Sequence, residues 1–148
     1  MSLPTKAVPR SPADHLLAIE ALALLAFFRV CLYAVPVRRI IGAVTHGKVE
    51  PQQLDARPLN EREMTAARRV QWAVRAAARH SPIEFVCFPQ TLAAYTMLRA
   101  RGFTSTMIYG VGRSPTGELV GHTWLEMGDG YVVGGEESEG FSAIERWR

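Results

Sequence analysis

Cysteine is scarce in this chain: Cys31 and Cys87 are the only two among 148 residues. Two cysteines cannot make a disulfide framework, so a protein with reduced thiols in the cytoplasm is expected. Excess charge is also missing. Seventeen basic residues against fourteen acidic ones leave +3, too little to argue for nucleic acid, and no basic run is interleaved with aromatics as RNA-binding surfaces require. Aspartate occurs three times, at Asp14, Asp55 and Asp129. One cysteine and one histidine far apart make no metal-ligand set, so neither metal nor cofactor is expected. No internal repeat is present. The longest apolar run, "ALALLAFF" (Ala21–Phe28), holds 8 residues between Glu20 and Arg29, where a membrane span needs roughly 20. It is too internal for a signal peptide. A buried core helix is the expectation, with peripheral membrane contact as the other reading.

The remaining composition is that of an ordinary globular protein, 48% apolar and 21% charged. One domain spanning 1–148 is expected. Residues 1–10, with Pro4 and Pro9, read as a loose tail. A helical part follows, over 11–80. Ser11 suits an N-cap, Pro12 the first helical position and Asp14 the positive end of the helix dipole. This helix runs to about Tyr33 and stops before Pro36. A short helix over Val37–Val44 carries Arg38 and Arg39, and a loop spans Gly47–Leu59. Asn60 and Glu63 form a capping-box start to a helix reaching about His80. Its expected buried stripe is Met64, Ala67, Gln71, Val74 and Ala78. Arg62, Arg68, Arg69, Arg75 and Arg79 decorate the rest, as a solvated face or as a docking surface for an acidic partner.

The stretch "EFVCFPQTLAAYTMLRARG" (Glu84–Gly102) places Pro89 at a helix start, Cys87 and Phe88 at its cap, and Gly102 as the C′ glycine. The apolar period then changes from 3.6 to 2. "FTSTMIYGV" (Phe103–Val111), "LVGHTWLEM" (Leu119–Met127) and "YVVGGEE" (Tyr131–Glu137) read as strands joined by "RSPTGE" and the tight turn "GDG". Helices first and an antiparallel meander last make the class α+β: N-terminal helices, then a nucleophile-bearing helix packed on the meander, with residues 83–148 as the catalytic part.

Unsatisfied N–H groups and the dipole at a helix start favour a thiolate, the nucleophilic form of cysteine. Cys87 holds such a position; an inert core cysteine is the alternative. Of four histidines, only His122 lies within a confident strand, on a face with Trp124 and Glu126. With Gly128–Asp129–Gly130 as a three-residue loop, cross-strand register sets His122 opposite Glu136, roughly 5 Å away by Cβ. A two-residue loop would substitute Glu137. Either acid would orient the imidazole as the third member of a triad; both as a solvated strand end is the alternative.

The order of cysteine at a helix start, histidine on a strand and acid on the next strand resembles the transglutaminase-like and papain-like cysteine enzymes. "CFPQTLAAYTMLRARGFTSTMIYGV", "GHTWLEMGDGYVVGG" and "EGFSAIERW" are similar to one branch, the leader peptidase of lasso-peptide biosynthesis, called the B protein. "RVCLYAVPVRRI" resembles its N-terminal half. The resemblance implies Cys87 as nucleophile and His122 as base. The family's aspartate position reads Gly134–Gly135 here, so Glu136 is the candidate acid by register alone. The implied activity is cytoplasmic removal of the leader from a ribosomally made precursor. The chain begins directly with helices, which implies the stand-alone peptidase half. The implied partners are the precursor, a small leader-binding protein and the separate ATP-using synthetase that joins the freed amine to a carboxyl. Transglutaminase-like acyl transfer to an amine, and an inactive peptide-binding scaffold, are the alternatives.

Overall fold

The computed structural model describes residues 11–53, 56–81 and 86–148; the tail expected over 1–10 lies outside them. Helix α1 (Pro12–Ala34) starts as its residues dictate. Ser11 is the N-cap and Pro12 the first helical residue. The Asp14 carboxylate accepts from the Ser11 backbone N–H at 2.8 Å and from its hydroxyl at 3.1 Å. Helix α2 (Val37–Val44) follows the Pro36 break and buries Ile40 and Ile41. A 3-10 turn occupies Pro51–Gln53.

Helix α3 (Glu61–His80) opens with both halves of a capping box. Asn60 Oδ1 accepts from the Glu63 N–H and Glu63 accepts from the Asn60 N–H, each at 3.0 Å. Arg57 clamps the same carboxylate through two bonds of 2.6 and 2.8 Å. Chiefly through that bond, and then through the Asn60 N–H, the Glu63 carboxyl is brought down to about 2. The buried face of α3 is Ala67, Val70, Ala73, Val74 and Ala77. This corrects the expected stripe: Ala67 and Val74 are buried, Met64, Gln71 and Ala78 are half-buried, and Val70, Ala73 and Ala77 complete the buried face. The reason is that α3 packs against both α1 and α4. Two neighbours need a broader face, and alanines let helix axes approach closely. The arginines of α3 are not all free for a partner: Arg69 pairs with Asp14 at 2.9 Å and Arg75 with Glu136 at 3.2 Å.

The expectation that "ALALLAFF" is simply core is half right. Leu17, Ala21, Leu25 and Phe28 are buried on one stripe of α1. Leu16, Ile19, Leu22, Phe27, Val30 and Tyr33 form a second apolar stripe that stands in solvent. The helix has 23 residues, and an 18-residue window of mean hydropathy 2.1 makes it long and apolar enough to cross a membrane; within the fold 22% of that window is buried. Counting only between Glu20 and Arg29 understated its length.

Helix α4 (Cys87–Ala100) is the centre of the domain. Leu92, Ala93, Ala94, Tyr95, Met97 and Leu98 are all buried, which is what an apolar circumference requires. It ends in a Schellman motif: Phe103 N–H to Leu98 O at 3.1 Å and Gly102 N–H to Arg99 O at 2.9 Å. Gly102 has φ +78°, the left-handed conformation this motif needs.

Strands β1 (Thr106–Arg113), β2 (Leu119–Met127), β3 (Gly130–Val133) and β4 (Ser142–Trp147) form one antiparallel sheet in the order β3-β2-β1-β4. The fold is α+β. The meander is right for β1 to β3, but β4 returns to the free edge of β1. Its alternation is too weak to read from sequence, since Ser142 and Ile144 are both exposed. The β2–β3 hairpin also differs from expectation. Met127 pairs with Gly130, leaving a two-residue turn at Gly128–Asp129, and an irregularity then brings Leu125 opposite Val133. Strand β3 stops at Val133, so neither Glu136 nor Glu137 pairs with β2.

Candidate active site

Cys87 is the first residue of α4, after an extended Val86 (φ −69°, ψ 170°). Valine has no side-chain oxygen to cap the helix. The Cys87 and Phe88 backbone N–H groups stand at the positive end of the dipole. The thiol is free and half-buried.

One turn on, fully buried Thr91 ties this helix start to the sheet. Its hydroxyl donates to Cys87 O at 2.9 Å and lies 3.3 Å from both the carbonyl oxygen and the hydroxyl of Thr123. A hydroxyl has one hydrogen and two lone pairs. Thr91 therefore donates to its nearest acceptor, Cys87 O, with the two Thr123 oxygens in reach beyond it. Thr123 is also fully buried, and the residue before it is His122.

His122 is half-buried on β2. Its Nε2 lies 2.8 Å from Gly134 O. A carbonyl only accepts, so Nε2 carries the proton and Nδ1 is left as the basic nitrogen. The ring lies 5.2 Å from Phe141 and stacks on Trp124 at 6.0 Å. Trp124 in turn donates from Nε1 to Glu126 at 2.9 Å and lies over Gly110, where any Cβ would come within 2.8 Å of its ring. His122 thus leaves β2 on the Trp124 side and Thr123 on the α4 side, as strand alternation demands.

The structure therefore joins the backbones that carry Cys87 and His122 through the two threonines. It does not seat the thiol on the imidazole: among the described residues no hydrogen bond links them. The placement expected for Glu136 is corrected. Glu136 is exposed and paired with Arg75, and the acceptor at His122 is the Gly134 carbonyl. The cause is the short β3, which ends before the register that would have set Glu136 opposite His122. Gly134 has φ +74°. A Cβ there would lie 2.8 Å from Thr123 O and 3.3 Å from His122 Nε2, so glycine is what lets the carbonyl reach the ring. The tandem Gly134–Gly135 was the signal for this in the sequence, read there only as a missing aspartate. Thr91 and Thr123 carried no sequence signal. Among the described residues no group of three or more His, Cys, Asp or Glu is placed to hold a metal ion.

The family model described as the transglutaminase-like superfamily matches residues 25–146 of this chain. No curated protein and no solved structure matches it.

Proposed function

Because the chain belongs to the transglutaminase-like superfamily, whose members are often cysteine proteases or acyltransferases, we propose that it is a cysteine endopeptidase. Its proposed substrate is a ribosomally made lasso-peptide precursor, from which it removes the leader. The observation that carries the reading is the fixed tautomer of His122: Nε2–H donates to Gly134 O and Nδ1 is available as a base, on a strand segment tied to the first turn of the Cys87 helix. The proposed activity requires the His122 ring, which leaves β2 on the Trp124 side, and the Cys87 turn to come together when substrate binds.

The chemistry follows from these groups. His122 Nδ1 takes the thiol proton as Cys87 Sγ attacks the scissile carbonyl. The backbone N–H groups of Cys87 and Phe88 at the helix start stabilise the oxyanion. The C–N bond breaks as His122 gives its proton to the leaving amine, and a thioester remains on Cys87. Water, deprotonated by His122, then attacks the thioester and frees the leader's new carboxylate and the thiol. The freed core amine passes to a separate ATP-using synthetase. The setting is the cytoplasm, where the precursor is made.

A small leader-binding protein completes the reading. The exposed apolar stripe of α1 is the better docking surface for it, since Arg69 and Arg75 of α3 are held in ion pairs. An amine in place of water at the thioester would make the product of a transglutaminase-like acyltransferase. A scaffold that only binds peptide would make no product.

The test is incubation with a precursor, with and without the leader-binding protein, followed by intact mass. Two products whose masses sum to the precursor plus one water, made faster with the partner and absent with Cys87→Ala, are expected. An amine adduct would replace hydrolysis by transfer. Cleavage by Cys87→Ala, or an unchanged precursor under all conditions, would overturn the proposal.

A further inference from the structure

Phe88, the residue after Cys87, lines a pocket of about 650 Å³. Its other walls include Ile41 and Gly42 of α2, Tyr109 of β1 and Trp147 of β4. Tyr109 is the cross-strand partner of Thr123, so the pocket lies on the α4 face of the sheet, beside the helix turn that carries Cys87. The size is that of a ligand pocket. The walls ask for an apolar occupant. Thr45, a polar wall residue, donates its hydroxyl to Ile41 O at 2.9 Å. The buried side-chain nitrogen and oxygen atoms of Arg68, Ser105 and Arg146 that make no hydrogen bond among the described residues do not line the pocket. At the rim Lys48 is paired with Glu145, while Arg38 is exposed and has no ion pair among the described residues.

We propose that this pocket is a specificity subsite that seats one aromatic or branched aliphatic side chain of the peptide beside the scissile bond, with an acidic residue next to it in the peptide favoured by Arg38. The proposal rests on Cys87 as the nucleophile. Phe88, the residue after Cys87, is the wall that brings the pocket to the first turn of α4. Burial of one such side chain accounts for roughly a 10-fold to 100-fold preference over alanine.

Gly42 makes the test clean. It sits within α2, and a Cβ added there meets nothing within 4 Å. Gly42→Trp therefore fills the pocket while removing a helix-weakening glycine. Ala43→Trp, one residue on and exposed, adds the same bulk outside the pocket and is the control. Two measurements are made. Precursors substituted to alanine at each position flanking the cleavage site are compared by kcat/KM. Separately, N-acetylphenylalanine amide is titrated into Cys87→Ala protein, with and without Gly42→Trp, while the Ile41 methyl NMR signal is followed. One flanking position is expected to lose roughly 10-fold to 100-fold on substitution to alanine. Gly42→Trp should erase that preference and the Ile41 shift, and Ala43→Trp should do neither. Arg38→Glu, a change at the exposed rim that leaves Ile41, Gly42, Phe88, Tyr109 and Trp147 in place, should reverse the preference from an acidic to a basic neighbour. An Ile41 signal that does not move, cleavage by Gly42→Trp with the wild-type preference, or an unchanged neighbour preference in Arg38→Glu overturns the proposal. A saturable Ile41 shift in a protein that cleaves no precursor would sink the peptidase reading and leave the pocket.

Discussion

Replacing Gly134 by alanine separates backbone strain from the contact that holds the imidazole. The residue has φ +74°, where an L side chain costs about 1–2 kcal/mol. The new Cβ would also meet Thr123 O at 2.8 Å and Trp124 Cβ at 3.2 Å. The first of these is backbone and cannot rotate away, so overpacking adds about 1–3 kcal/mol. Gly117 supplies the control: it has φ +87°, and an added Cβ there meets nothing within 4 Å. At about 2–4 °C per kcal/mol for a domain of this size, Gly134→Ala should melt about 2–12 °C below Gly117→Ala. Thermal unfolding followed by circular dichroism measures this. The functional consequence is separate. The displaced carbonyl releases Nε2, and the imidazole then populates both tautomers. Nitrogen NMR of His122 should report Nε2–H in the wild type and a mixture in Gly134→Ala, and cleavage should lose kcat with little change in KM. Equal melting of the two alanine variants, an unchanged His122 tautomer and a wild-type rate would together refute the role given to the Gly134 carbonyl.

Cys87 should react with iodoacetamide faster than Cys31 near neutral pH. Both are half-buried, but Cys31 sits in the last turn of α1, where the dipole opposes a thiolate; equal labelling in the folded protein would remove the helix-start argument. Glu136→Gln should leave cleavage within about twofold, because its exposed pair with Arg75 is of the kind worth about 0–1 kcal/mol; a loss of orders of magnitude would restore it as the orienting acid. The Arg57 guanidinium, and then the Asn60 N–H, bring the Glu63 carboxyl from the ordinary 4.5 down to about 2. A carboxyl depressed on folding contributes its stability in full above 4.5 and loses it as the pH falls through about 2. The wild-type melting temperature should fall more steeply than that of Glu63→Gln across this window; parallel curves would show that the clamp by Arg57 contributes nothing.

What the sequence determined by itself is what lies within a few residues along the chain. Ser11 with Asp14, and Asn60 with Glu63, cap helices because donor and acceptor are three residues apart. Pro36 ends α1 and Gly102 closes α4 through conformations the residues themselves prefer. The bounds of β2, and with them the candidates Cys87 and His122, follow from equally local signals. The tertiary structure decided everything that depends on a distant neighbour. A period of 3.6 marked α1 as apolar, but it could not say which of two apolar stripes is covered, because that depends on where α3 and α4 lie. Nor could it reveal that α3 needs a face wide enough for two helices. The pairing of β4 with β1 joins segments separated by a hairpin and a loop, and β4's own alternation is weak. The partner of His122 turned on where β3 stops. The irregularity after the two-residue turn brings Leu125 opposite Val133, the register that would set Glu136 opposite His122, but the strand ends at Val133, so the Gly134 carbonyl meets the ring and Glu136 is left to Arg75.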